Sequence, residues 1–480
     1  MAQILTFNFK ILFFQNSHLS RISNHYSIVI CTEPPNLLNP SSSLFSPKTK
    51  KKKKKKTRVL FVQSLFQATN CKKMSDYLPN DALFDLLSPD VLIDVLTRLP
   101  IKTLGRCACV CKSWYYLITN PSFITTHLNR SSLVNNNHLL LILGGSSYCH
   151  LKERYLLLNE VFDKYAEFEF PVKASGSCFE IIGSCNGLLC IVHCNNDCGS
   201  AIGVYLWNPT IQKLMRLPPA RLSSLLQGLI RQTMGFGFDP VTDDYKVVRI
   251  VYPGDRTLPQ VDIFSLRTGR WRNISHLGLQ YTISDLAPQA CLNGAVHWLA
   301  EGWVIVSFHM GNEVFSEIVV PDGSGFGSPG SSSLVAKFQE SLSLIHVQTT
   351  SSNFNCCIWV MKEYGISESW TKQFNIDMDT PLIKSVAGIT WKGELLLATG
   401  WSLTAYDPKV KQFVSHELDE EYFPFTGYGY SFYAEDYIES LVLVAFKESP
   451  VLLEETSKKK KCMKKERMKR RAEKRSRPRY

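Results

Sequence analysis

The chain has 480 residues, 45% of them hydrophobic and 20% charged, with 15 cysteines scattered at no regular spacing. That balance belongs to a globular protein long enough for a small domain beside a large one, and it excludes a disulfide-framed secreted scaffold or a low-complexity fibre. The formal charge of +12 is concentrated in two runs: residues 48–58 hold nine positive charges, and residues 458–480 hold fourteen against two negative, leaving about −9 for the rest. The body is therefore mildly acidic, which excludes a basic body that grips nucleic acid.

Residues 1–73 carry no acid before Glu33, and the apolar stretch "ILTFNFKILFF" is interrupted by Asn8 and Lys10. The acid-poor, Ser-rich character is compatible with an organellar transit peptide. The expectation preferred here is a disordered or spurious extension, with Met74 as the working start. No uninterrupted apolar run reaches 18 residues, so no membrane span is expected. The other basic run, 457–480, reads as a solvated tail that could serve nuclear import.

Organised sequence begins with helices. Ser88 suits an N-cap, Pro89 a first turn, and Asp90 the positive end of the dipole. Val91, Leu92, Val95, Leu96 and Leu99 fall on one helical stripe that Pro100 ends. A second helix is expected from near Lys102, carrying Leu104, Cys107, Val110, Cys111, Trp114, Leu117 and Ile118. Asn120-Pro121 then starts a third, with Phe123, Ile124 and Leu128. Cys107, Cys109 and Cys111 lack the fourth converging ligand and the finger spacing that zinc requires. Cys107 and Cys111 read as buried small hydrophobes and Cys109 as pointing away, so no metal is expected. A module of about forty residues is marginal alone, and its apolar stripes exceed what three short helices hide, which implies a partner surface.

The segment "LSPDVLIDVLTRLPIKTLGRCACVCKSWYYLITNPSFI" resembles an F-box, most closely in "LTRLPIKTL" and "CVCKSWYYLI". The pattern departs at Leu87-Ser88, where the family usually has Leu-Pro. The resemblance implies docking onto the Skp-type adaptor of a cullin–RING ubiquitin ligase. Stripe and resemblance together assign adaptor binding to Leu92, Leu96, Leu99, Pro100, Leu104, Val110 and Trp114, within an F-box of residues 86–130.

From 138 to 446 the grammar is all-β, with short apolar or alternating runs between Gly, Asn, Asp and Pro turns. Two hairpin types alternate, six of each, with a period near fifty. One includes "GSCNGLLCI" and "CLNGAVHWL"; the other includes "VYLWNPTIQKLMRLP" and "VDIFSLRTGRWRNI". Paired hairpins at that period point to propeller blades. The expected fold is a small three-helix module followed by an all-β domain, a closed β-propeller of about six blades of four strands. The first and last hairpins would share a blade. A pair of β-sandwiches is the rival architecture. "WNPTIQKLMRLP", "GFGFDPVTDDYKVVRI" and "NGAVHWLA" resemble the kelch-like F-box-associated domain of plant proteins, which implies substrate recruitment. The Asn208-Pro209 and Asp239-Pro240 pairs themselves read as turn formers.

The chemistry-bearing residues are dispersed. His150, His193, His276, His297, His309, His346 and His416 lack carboxylate partners at motif spacing, and His297 reads as a packed strand residue. No phosphate loop with Lys-Ser/Thr occurs, and "GSGFGSPGSSS" reads as a flexible connector. No catalytic residue, cofactor or metal is assigned. The expected function is the substrate-recognition subunit of a Skp–cullin–F-box ligase, not an enzyme, acting in nucleus or cytoplasm, with its protein target held by inter-blade loops. Two alternatives are a nuclear nucleic-acid-associated propeller scaffold using the basic tail and a kelch-like oxidase with His and Tyr on the axis.

Overall fold

The computed structural model describes residues 9–15, 26–32, 89–133, 138–145, 154–172, 177–195, 201–220, 231–253, 258–283, 289–321, 331–399, 402–414 and 431–444. Two units divide the chain near residue 59. In the first, β1 (Phe9–Gln15) pairs antiparallel with β2 (Tyr26–Thr32). Ser88, the Lys run, Met74, the 323–333 connector's Gly-rich start and the basic tail lie outside the described residues.

Among the described residues of the second unit, four helices come first, not the three expected: α1 (Pro89–Thr97), α2 (Ile101–Cys107), α3 (Lys112–Ile118) and α4 (Pro121–Leu133). The long second helix is divided at Ala108–Val110, which form turns, and at Cys111, which is extended at φ −153° and caps α3. Cys, Val and Cys in succession are weak helix formers, so little propensity resists the break. The break also undoes the expected stripe: Cys107 is buried, while Cys111 is half-exposed at a helix start. Burial pushes the Cys107 thiol up to about 11. Asn120 caps α4 as its sequence suggests, its Oδ1 accepting from the Ser122 amide at 2.9 Å, with Pro121 in the first turn.

Six four-stranded antiparallel sheets follow in a propeller arrangement. Blade 1 contains β3 (Leu139–Gly145), β4 (Arg154–Leu158), β5 (Lys164–Phe168) and the last strand, β26 (Ser431–Tyr437), in the order β26-β3-β4-β5. Blade 2 is β6 (Ser177–Cys185) to β9 (Lys213–Arg216), and blade 3 is β10 (Arg231–Asp239) to β13 (Arg270–Asn273). Blade 4 is β14 (Ala290–Leu292) to β17 (Val314–Val319). Blade 5 is β18 (Ser331–Phe338) to β21 (Trp370–Met378), and blade 6 is β22 (Ser385–Ile389) to β25 (Gln412–Phe413).

The expected sharing of a blade by the first and last hairpins is corrected here. Blade 1 takes three strands from the start of the domain and one from its end. The run "LLLIL" of β3 fills the place that "IESLVLV" was expected to take. Short apolar runs do not announce whether they become strands or buried coil. After β26 the chain leaves the sheet, and Leu441, Val442, Leu443 and Val444 are buried without pairing as a strand. Closure needs correction as well. Among the described strands no hydrogen-bonded ladder passes from one blade into the next, so the six sheets are separate and do not make a closed hydrogen-bonded ring.

Side chains join the blades instead. The Trp271 indole of blade 3 donates to Pro218 O, beyond the end of blade 2, at 2.7 Å. Trp298 of blade 4 donates to Met234 O of blade 3 at 3.1 Å, and Trp370 of blade 5 to Val319 O of blade 4 at 3.0 Å. The Trp298 ring passes so close to β10 that a Cβ at Gly235 would lie 2.3 Å from it, which is why that strand position is glycine. Between blades 3 and 4 the buried Lys246 ammonium contacts Asp239 at 3.0 Å, Glu313 at 3.1 Å and Met310 O at 2.6 Å.

Candidate functional site

Blades 2 to 6 are antiparallel meanders, and blade 1 has the same antiparallel order with β26 in first place, so the connectors alternate between two ends of the domain. The turns joining first to second and third to fourth strands, such as 186–187, 209–212, 240–243 and 293–294, share one end. The other end carries the remaining connectors, whose described residues include 217–220, 258–259, 274–283, 301–303, 350–353 and 379–384.

The helical module packs at the tight-turn end, against blades 1 and 2. Leu96, Ile101, Leu104, Cys107, Ala108, Ile118 and Phe123 share one buried cluster with Ile211, from the turn between β8 (Ala201–Asn208) and β9, and with Leu441 and Val444 after β26. Lys102 of α2 lies over the Tyr165 ring at 5.1 Å, and the Tyr165 hydroxyl donates to Glu439 at 3.1 Å. Part of the apolar surplus of the helices is thus covered from within the chain. Within the module, His127 Nε2 meets Leu99 O at 3.0 Å, and Asp94 bridges Arg98 and Arg130, tying α1 to α4.

Asn208 holds this arrangement. It is 0% exposed, and its Nδ2 donates to Ser440 O at 3.0 Å and Val442 O at 2.9 Å. Its Oδ1 accepts from the Thr210 amide at 3.1 Å, making the turn that presents Ile211. The Tyr437 hydroxyl donates to Gly187 O at 3.1 Å and meets Thr210 Oγ1 at the same distance. Gly187 has φ +76° and faces Ile438 O, so only glycine fits that turn. Sequence reading took Asn208 as a turn former and missed its second role. It missed Ile211, Leu441 and Val444 altogether, although an apolar run without strand alternation was a visible sign at 441–444.

The seven residues assigned to adaptor binding occupy three settings. Leu96 and Leu104 are buried inside the module. Leu92, Leu99, Val110 and Trp114 are half-buried, and Pro100 is exposed at the α1–α2 joint. Exposed Val91, Tyr115 and Tyr116 add apolar surface on α1 and α3.

His150 and His416 lie outside the described residues. His297 is fully buried, with Nδ1 against Ala290 O at 3.1 Å and Nε2 against the Tyr364 hydroxyl at 2.8 Å. Desolvation depresses its pKa to about 4. Among the described residues no three His, Cys, Asp or Glu side chains are grouped to hold a metal ion. No helix among them is long and apolar enough to cross a membrane.

A helical module seated on the tight-turn end of a six-bladed propeller defines a class, a docking module carried with a recognition domain. The chain's residues 84–126 match the F-box domain model and residues 150–420 the F-box associated beta propeller domain model, and the chain belongs to that F-box propeller family. It is 28% identical to F-box/kelch-repeat protein At3g23880 of Arabidopsis thaliana, over 62% of this chain and 80% of that one. It is 29% identical to F-box protein CPR1 of the same plant, over 60% of this chain and 72% of that one. Among solved structures, TolB from Acinetobacter baumannii is similar at a TM-score of 0.40 and 10% identity, covering 66% of this chain and 72% of that one. The protein has the architecture of a Skp–cullin–F-box substrate receptor, a recognition subunit and not itself an enzyme. The F-box implies an Skp1-like adaptor within a cullin–RING complex, and a protein substrate.

Proposed function

We propose that the protein target is held at the propeller end opposite the F-box, by the connectors after the second and fourth strands of each blade. One observation carries this reading: the helices occupy the tight-turn end through Ile211, Leu441 and Val444. A target at the far end would not compete with the module for surface. Loops on a rigid scaffold suit recognition, because they vary without disturbing the blades. The adaptor would meet the outer face of the helices, where Leu92, Leu99, Pro100, Val110 and Trp114 supply surface and Leu96 and Leu104 fix the helices from inside. A nuclear or cytoplasmic site of action accords with this partnership.

The test is target capture by full-length protein from plant extract under proteasome inhibition. Leu258→Asp, Trp303→Asp and Leu382→Asp, placed together at far-end connectors, should abolish target capture and spare the adaptor. Val241→Asp with Val410→Asp, at the tight-turn end, should spare both. Loss of the target with the second set and its retention with the first would overturn the proposal.

A further inference from the structure

A buried polar patch lies between blades 2 and 3, near the end of the domain opposite the helices. One face of β11 (Asp244–Tyr252) and β12 (Gln260–Ser265) is turned toward blade 2. Toward the tight turns that face is apolar, and Val247 and Phe264 share a cluster with Leu188, Cys190 and Leu206 of blade 2. Toward the far end the same face becomes polar. Arg249 stands opposite Asp262 in the ladder, and Gln260 lies one step farther out, opposite Val251. Arg249 is 6% exposed and Asp262 5%. Gln260 is half-buried, and the exposed Leu258 stands two residues before it.

The patch is only partly satisfied. Arg249 Nε donates to Gln232 Oε1 at 3.3 Å, and among the described residues the guanidinium makes no other hydrogen bond or ion pair. Asp262 Oδ1 accepts from Asn273 Nδ2 at 3.0 Å, while its buried Oδ2 has no partner. Gln260 Oε1 is likewise buried without one. Polar and charged groups left this way carry a cost that a bound group with matching donors and acceptors removes. Opposite charges cancel across the patch, which favours a neutral occupant over an ion. The open Nη1 and Nη2 of Arg249 call for an acceptor, and the open oxygens of Asp262 and Gln260 call for two donors. A primary carboxamide carries that set in one plane, a carbonyl oxygen and an NH2 with two hydrogens.

We propose that Arg249, Asp262 and Gln260 form a subsite for a primary carboxamide, supplied by an asparagine or glutamine side chain of the protein target. The carbonyl oxygen accepts from the Arg249 guanidinium, and the NH2 donates to Asp262 Oδ2 and Gln260 Oε1. This rests on the reading that the target is held at the far end. A carboxylate brings acceptors only and meets Asp262 with like charge. An ammonium brings donors only and meets Arg249 with like charge. The subsite selects one side-chain chemistry through what it leaves unpaired for the others.

The test compares propionamide, propionate and propylammonium, three probes of one size, on the full chain bound to its adaptor. Saturation-transfer NMR should detect propionamide alone, and crystals soaked with it should show the amide between Arg249 and Asp262. Asp262→Asn keeps the Asn273 bond through Oδ1 and turns the open acceptor into a donor. It should weaken propionamide binding by about tenfold or more and lower target capture from plant extract with it. Gln260→Leu, which disturbs neither charge, should act in the same direction and serves where Asp262→Asn folds poorly. Only water at the patch of the unaltered protein, or equal binding of all three probes, would overturn the subsite. Propionamide bound there, with target capture by Asp262→Asn at parental strength, would overturn its assignment to the target's side chain and leave a free amide as the ligand. The far-end reading fails separately, through the Leu258, Trp303 and Leu382 set.

Discussion

Asn208 shows how one buried amide serves two ends of a chain. Its oxygen shapes the turn that carries Ile211, and its nitrogen holds the segment that carries Leu441. Asn208→Ala leaves the Ser440 and Val442 carbonyls buried and short of a donor, so urea unfolding should register a loss of about 2–4 kcal/mol. Protease cleavage between the helices and β3 should increase in the same variant. Glu435 makes the opposite kind of demand. Burial pushes its carboxyl from 4.5 up to about 8, only partly offset by the Tyr433 hydroxyl and the Ser184 amide. The native state therefore binds a proton that the unfolded state has released. That stability is fully present below 4.5 and is lost as pH rises through about 8. Melting midpoints measured across that window should fall less steeply for Glu435→Gln than for the parent. Some slope should remain, because burial likewise raises Asp436 to about 7.

At the scale of elements, the α1–α2 joint decides what the helices offer a partner. Leu99 and Pro100 stand where α1 ends and α2 begins, and Pro100 provides an extended cap at φ −59° and ψ 149°. Leu99 is held from behind through its carbonyl by His127 of α4. Desolvation keeps that imidazole below its usual pKa, so it is neutral at physiological pH. Leu99→Asp with Pro100→Ala places a charge in an apolar contact and frees the cap, leaving Ile211, Leu441 and Val444 untouched. Co-purification of the Skp-type adaptor should fall at least about a hundredfold, as expected for a charge at the centre of a desolvated contact. Circular dichroism should still report the β domain folded. Adaptor binding at parental strength would count against the assignment of this joint.

The whole molecule behaves as one body from the F-box to blade 6, because the helices and the propeller share a buried cluster. Such a body fixes the angle at which a bound target is presented to the ligase. Tethering raises the target's effective concentration near the ubiquitin-loaded enzyme, so modest loop affinity suffices. Removing the helices would bare Ile211, Leu441 and Val444, which makes a truncated β domain a poor probe. The full-length Leu99→Asp, Pro100→Ala variant is better. When overexpressed it should lengthen the target's half-life, since it binds without delivering, and a cycloheximide chase would measure this. Degradation as fast as with the parent would remove the receptor reading.

Legibility in the sequence followed the range of the forces involved. The Asn120-Pro121 cap, the apolar stripe of α1, and the hairpins of blades 2 to 6 depend on residues close together in the chain. Their periodicity and turn chemistry therefore specify them locally. The F-box and propeller motifs are built from such local pieces, which is why the class of protein could be read from them. Tertiary structure decided the rest, where distant segments compete for one place. The short runs "LLLIL" and "LVLV" are equally apolar, and only pairing with β26 makes the first a strand while the second fills the gap beneath the helices. The division of α2 from α3 likewise comes from a weakly helical Cys-Val-Cys stretch yielding to packing. The meeting of Asn208 with Ser440 joins residues 232 apart, and no local pattern encodes a contact that only the assembled chain creates.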